Sequence, residues 1–315
     1  MPTDPGLRRL ALRTLLGALP GPAVPDWAVA LAADGLAGYT LFARNVPDLA
    51  GTGAALRGPA PGLLLAIDEE GGDVTRLAAA TGSPYPGNAA LGAVDDPALT
   101  AAVHRAMGAE LAAAGVNLDL APTVDVNTAA DNPIIGTRSF GADPALVARH
   151  AAAAVDGLQS ARVAGCAKHF PGHGATVADS HTDLPTVPAD RALLAARDLP
   201  PFAAAIDAGV RAVMTAHVRV PALTGAGPAT FSRAALVDVL RRELGFTGVL
   251  VTDALEMRGA AGPAGGVPAA AVLALGAGAD LLLLGSRVDA ALVEAVAAEI
   301  AAAVGDGRLA AARVT

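Results

Sequence analysis

Ala164-Gly-Cys-Ala-Lys-His169 changes character halfway: four small apolar residues, then an ammonium and an imidazole. An apolar run of four is too short for a helix and suits a strand covered on both faces, with the polar pair at its carboxyl end. The pattern recurs along the chain. Apolar runs at 12–16, 38–42, 63–67, 116–120, 164–167, 212–215, 249–251 and 281–284 are expected to be strands. The segments between them carry helix punctuation. Asp96-Pro97 opens one closed by Gly115, Asp143-Pro144 one closed by Gly165, and Ser232 one closed by Gly245. Each has a cap residue before the helix and glycine past its end, and two have proline in the first turn. Eight strand–helix units predict an α/β fold, a (β/α)8 TIM barrel forming a single domain over residues 1–315. A doubly wound open sheet is the alternative. It would want a phosphate-binding glycine fingerprint after its first strand, and Gly17-Ala-Leu-Pro-Gly21 is not one. The Gly/Pro-rich stretch 82–92 reads as a long loop.

Composition narrows the function. The chain of 315 residues is 53% hydrophobic but only 3% aromatic, so its core must be built mostly from Ala, Val and Leu. A net charge of -8 argues against nucleic acid as a partner, because phosphate binding needs a basic surface. The single Cys166 rules out an internal disulfide and a cysteine-based zinc site, and fits a reducing compartment. Arg8 and Arg9 precede an apolar run, but Arg13 interrupts it, so the start reads as folded protein and not as a signal peptide. Residues 259–279 carry no charge, yet their glycines, Pro263 and Pro268 suit a loop followed by a short buried helix better than a membrane span. The expectation is a soluble cytoplasmic protein without membrane contact, a monomer by default.

A barrel places its chemistry just past the carboxyl ends of its strands. Asp68-Glu-Glu70 follows the third run, Asp125 and Asn127 the fourth, Lys168-His169 the fifth, His217 the sixth and Asp253 the seventh. Lys168 is the only lysine among 22 basic residues, so its position is expected to need a compact, rotatable ammonium where arginine's planar fork will not fit. Asp253 either caps the helix that follows or, held by its strand, attacks an electrophilic carbon. Asp179 stands two residues before His181, a spacing that lets the carboxylate hold one ring nitrogen while the other serves as general acid/base. Alternatively, His181 is a solvated loop residue. Gly172 and Gly174 precede this pair and are expected to let the loop move over bound substrate. His169, His173, Asp179 and His181 could ligate zinc, but Pro171 and the glycines break the helical face that a His-x-x-x-His pair needs. No metal and no cofactor are expected.

Lys168-His-Phe-Pro-Gly-His-Gly174 followed by Asp179-Ser-His181 resembles the signature of family 3 glycoside hydrolases of the single-domain β-N-acetylglucosaminidase type. The resemblance extends over nearly the whole chain. It takes in Leu41-Phe-Ala-Arg-Asn45, Ile67-Asp-Glu-Glu-Gly-Gly72 with Arg76, Leu120-Ala-Pro-Thr-Val-Asp125 and Gly136-Thr-Arg-Ser-Phe140. It continues in Met214-Thr-Ala-His217, Pro228-Ala-Thr230, Leu244-Gly-Phe-Thr-Gly248 and Thr252-Asp-Ala-Leu-Glu-Met257. It implies a (β/α)8 barrel and a retaining double displacement, with Asp253 as nucleophile and His181 as acid/base partnered by Asp179. It further implies that Asp68, Arg76, Arg138, Lys168 and His169 hold the terminal sugar. A neutral imidazole can act as base near an anionic nucleophile without the repulsion between two carboxylates. Glu69 stands where the family usually has Gln, and Asp73 where a basic residue is frequent. Both are expected beside the sugar pocket, where they would shift specificity or pH optimum.

The expected activity is exo-acting release of terminal GlcNAc from muropeptide fragments or chitooligosaccharides. The partner is then a small-molecule carbohydrate, a β-GlcNAc glycoside. Phosphate replacing water as acceptor is an alternative on the same scaffold. A metal-dependent barrel hydrolase and an inactive sugar-binding protein are readings of other classes.

Overall fold

Short strands alternate with helices through the chain in a computed structural model that describes residues 4–178, 180 and 183–315. The strands are β1 (Leu15–Ala18), β2 (Gly38–Leu41), β3 (Leu64–Ile67), β4 (Leu118–Asp119), β5 (Ala164–Phe170), β6 (Ala212–Thr215), β7 (Val249–Thr252) and β8 (Leu282–Leu283). All neighbours pair in parallel, in the order β7-β6-β5-β4-β3-β2-β1-β8. A parallel bridge between Val251 and Leu281, with the Thr252 N–H donating to the Leu281 carbonyl at 2.9 Å, joins β7 to the β8 segment and closes the barrel. The expected (β/α)8 architecture is the one observed, and a closed sheet leaves no exposed edge to protect.

Several boundaries differ from the sequence reading, each for a local reason. The first run was expected at 12–16, but Asp4 caps a helix Pro5–Leu12 through the N–H groups of Gly6 and Leu7, and β1 begins only at Leu15. Asp143 caps helix Pro144–Ser160 as expected, but that helix stops well before Gly165, which lies inside β5. The stretch 82–92 is not all loop: Asn88–Val94 is helical. Residues 259–279 form two helices, Arg258–Ala264 and Val267–Ala277, bent 93° from each other, with Ala260, Ala270, Ala271, Ala274 and Leu275 buried in the core. Among the described residues no single helix is long and apolar enough to cross a membrane.

The core has two parts. Outside the barrel, Tyr39, Leu41, Leu65, Ile67 and their neighbours pack against the helices. Inside it, Leu16, Ala66, Leu118, Cys166, Met214 and Val251 fill the bore. This alternation in and out along each strand also settles which polar residues beyond the strand ends face the axis.

Candidate active site

Continuing the alternation past Ile67 turns Asp68 inward, Glu69 outward and Glu70 inward. Asp68 and Glu70 accordingly meet Lys168, whose side chain comes from the last part of β5 and is 2% exposed. Lys168 Nζ lies 2.8 Å from Asp68 Oδ1 and 2.7 Å from Glu70 Oε1. Arg138 adds a bidentate grip on Glu70, Nε to Oε2 at 3.0 Å and Nη2 to Oε1 at 2.8 Å, while Arg76 Nη2 reaches Asp68 Oδ2 at 3.2 Å. Burial alone would push both carboxyls up. The positive charge of Lys168 and Arg76 beside Asp68, and of Arg138 and Lys168 beside Glu70, outweighs it and holds both below the ordinary carboxylate range. Burial likewise opposes the Lys168 ammonium, and Asp68 and Glu70 overcome it, raising the lysine above its ordinary value. Three cations and two carboxylates thus form one rigid, fully ionised wall.

His169 is oriented by Asp125. Nδ1 stands 2.7 Å from Asp125 Oδ2, and the backbone N–H groups of His169 and His173 donate to the same carboxylate at 3.3 and 2.6 Å. Asp125 therefore accepts a hydrogen bond from Nδ1–H. Nε2, 3.4 Å from Arg138 Nη2, accepts, because a guanidinium has only donors. A sugar hydroxyl arriving here would find an acceptor nitrogen.

Across the bore, Asp253 follows β7 and caps its own turn, accepting from the Ala254 N–H at 2.7 Å. His217 supports that turn by donating from Nε2 to the Ala254 carbonyl at 3.0 Å, with Nδ1 2.7 Å from Thr230 Oγ1. Burial raises the Asp253 carboxyl, but His217, His169, the Ala254 N–H and Lys168 together bring it below its ordinary value. It is an anion at neutral pH. Asp68, Arg76, Arg138, Lys168, His169 and Asp253 all line one cavity of about 250 Å³, small enough to suit one sugar ring.

Asp179 and His181 lie outside the described residues, so their roles rest on the sequence. Ser180 between them is buried and lines the same cavity; its Oγ is 3.0 Å from His173 Nε2 and its carbonyl accepts from the Gly259 N–H at 3.2 Å. His173 is also bound through Nδ1 to Thr176 Oγ1 at 2.7 Å. His173 is therefore committed through both ring nitrogens, to Thr176 and Ser180, which takes one of the four proposed ligands from the zinc reading. Gly172 and Gly174 serve packing: a Cβ on Gly172, at φ +128°, would stand 2.9 Å from Asp198 Cβ, and one on Gly174 would strike the Val126 carbonyl.

One sequence expectation needs correction, while Asp73 lies beside the pocket as expected. Glu69 does not face the sugar pocket. It points outward, buried, and its Oε2 accepts from the N–H groups of Arg76 and Leu77 at 2.8 and 3.0 Å. Asp73 accepts from Thr137 Oγ1 at 2.5 Å and lines a neighbouring cavity with Gly72 and Asn88. In turn, the site list from sequence missed Glu70, the acid that joins Lys168 to Arg138, and Asp125, which orients His169. The two-residue spacing of Asp68 and Glu70 was the available signal.

Comparison with known proteins identifies the family. The model of the "Glycosyl hydrolase family 3 N terminal domain" matches residues 48–315. Beta-hexosaminidase A of Pseudoalteromonas piscicida is 42% identical, over 62% of this chain and 36% of its own length. The beta-hexosaminidase of Stenotrophomonas maltophilia (strain K279a) is 41% identical, over 82% of this chain and 78% of its own. A family 3 β-N-acetylglucosaminidase from Paenibacillus sp. str. FPU-7 superposes with a TM-score of 0.92 at 42% identity, covering 98% of this chain and 60% of that one. The chain thus spans little more than a third of the first relative and three fifths of the solved structure, and most of the second relative. With its barrel and these matches, the chain belongs to glycosyl hydrolase family 3.

Proposed function

We propose that the protein is an exo-acting, retaining β-N-acetylglucosaminidase that releases terminal non-reducing GlcNAc. The observation that carries this is the placement of an anionic Asp253 across a monosaccharide-sized cavity from the Asp68–Lys168–Glu70–Arg138 wall. The relatives' names, beta-hexosaminidase and β-N-acetylglucosaminidase, support the choice of sugar.

In this reading Lys168, Arg138 and Arg76 donate to sugar hydroxyls and the acetamido group, while Asp68 and His169 Nε2 accept. The Asp253 carboxylate attacks the anomeric carbon as the glycosidic C–O bond breaks, and His181, oriented by Asp179, gives its proton to the leaving oxygen. His181 then takes a proton from water, whose oxygen displaces Asp253 and restores the β configuration. The ionised wall is fixed before substrate arrives, so charge developing at the anomeric carbon meets an environment needing no reorganisation. Muropeptide fragments and short chitooligosaccharides are the proposed substrates, and the cytoplasm the proposed site of action.

The test is turnover of an aryl β-GlcNAc glycoside by wild type and Asp253→Ala, with products analysed in the presence and absence of phosphate. Free GlcNAc from wild type and none from the variant is expected. No turnover, or turnover undiminished in the variant, would refute the reading, and GlcNAc 1-phosphate would replace hydrolysis by phosphorolysis.

A further inference from the structure

Thr40 stands on β2, 1% exposed, and its hydroxyl has no hydrogen-bond partner among the described residues. Its neighbours Tyr39 and Leu41 point outward into the helix layer, so Thr40 faces the bore, where it lines the cavity. Leu120, Met214 and Leu283, contributed by the β4, β6 and β8 segments, line the cavity with it. Four residues from alternate strands are one layer of a barrel interior, and such layers are dominated by apolar side chains. One hydroxyl in the floor, buried and without a protein partner among the described residues, is left to bond with what occupies the cavity.

What it meets follows from the arrangement of strands. β7, with Asp253, and β3, with Asp68, are diametrically opposed in the eight-stranded barrel. With the anomeric carbon at Asp253, the far end of the ring lies towards Asp68. The flank between them through β5 carries Arg138, Lys168 and His169, several polar groups suited to the C2–C3 edge with its amide and hydroxyl. The flank through β1 is formed by Thr40, Phe42, Leu283 and Gly285. Ser286 and Glu256 also reach this side, but Ser286 Oγ donates to Glu256 Oε1 at 3.1 Å, so Thr40 carries its one hydroxyl without a partner among the described residues. Apolar surface with one such hydroxyl complements the C5–C6 edge, which offers carbon and one hydroxymethyl.

We propose that Thr40 is a specificity-determining residue whose hydroxyl binds the C6 hydroxymethyl group of the terminal sugar, an inference that rests on the β-N-acetylglucosaminidase reading. The experiment compares wild type, Thr40→Val and Thr40→Ser on an aryl β-GlcNAc glycoside and on its 6-deoxy analogue. Thr40→Val is expected to lower kcat/KM on the parent about three- to tenfold, the scale of one neutral hydrogen bond. It is expected to leave the 6-deoxy analogue as wild type leaves it, and Thr40→Ser to keep most activity on the parent. The thermal midpoint of Thr40→Val should not fall, since valine keeps the shape and removes the unpaired hydroxyl. Equal losses on both substrates, or none on the parent, would overturn the assignment. A wild-type protein inactive on the parent glycoside would instead refute the glycosidase reading itself.

Discussion

Replacing Lys168 by methionine removes the ammonium from between Asp68 and Glu70 while keeping most of the side chain's volume. The two carboxylates, 2.8 and 2.7 Å from Nζ in the native protein, would face each other with Arg76 and Arg138 as their remaining cations. Breaking a buried ion pair by removing one partner costs about 3–5 kcal/mol, because the other charge stays buried. An unfolding entropy of roughly 0.7 kcal/mol/K, scaled from typical per-residue values, turns this into a fall of about 4–8 °C in thermal midpoint. Calorimetry or circular dichroism at pH 7 measures it. Asp68 and Glu70 are depressed in the folded protein, so their contribution is complete above their ordinary unfolded values and is lost as pH falls through the lower folded ones. The gap between wild type and Lys168→Met should therefore narrow in acid below about pH 4, where the unfolded carboxyls protonate. A variant as stable as wild type at pH 7, or a gap that widens in acid, would refute the account of the wall.

Three further outcomes follow from particular contacts. Lys168→Arg keeps the charge but puts a planar fork where one nitrogen now meets both carboxylates; it should preserve much of the stability and lose at least about tenfold in kcat/KM on an aryl β-GlcNAc glycoside. Glu69→Ala leaves the Arg76 and Leu77 N–H groups without their carboxylate; it should cost about 1–3 kcal/mol in denaturant unfolding and raise KM by displacing Arg76, whereas Glu69→Gln retains an acceptor and should restore both. Burial raises Asp119 well above its ordinary value, so the folded protein binds this proton more tightly than the unfolded chain. Its destabilisation grows as pH rises above about 4, and Asp119→Asn should raise the thermal midpoint at pH 7 but not at pH 3.

The barrel was legible because parallel strands covered on both faces leave short apolar runs, and helix caps between them are explicit in Asp96-Pro97 and Asp143-Pro144. Strand β1 was misplaced because Ala11 and Leu12, the apolar end of a capped helix, run straight into the apolar strand. The charged site was legible as composition at the strand ends, but not as geometry. Glu69 and Glu70 are indistinguishable in sequence until the strand register fixes one outward and the other inward. The close approaches at Gly172 and Gly174 were not legible either, since glycine in a sequence signals backbone freedom and close packing alike. Thr40 gave no sequence signal, since an unpaired hydroxyl is defined by what surrounds it.

The most direct test of the central claim is covalent trapping of the glycosyl-enzyme with an activated 5-fluoro β-GlcNAc fluoride, read by intact mass and peptide mapping. The account predicts one added sugar per chain, located on Asp253, and none on Asp253→Asn. An adduct on another residue, or rapid turnover of the parent glycoside with inversion and no adduct, would contradict it.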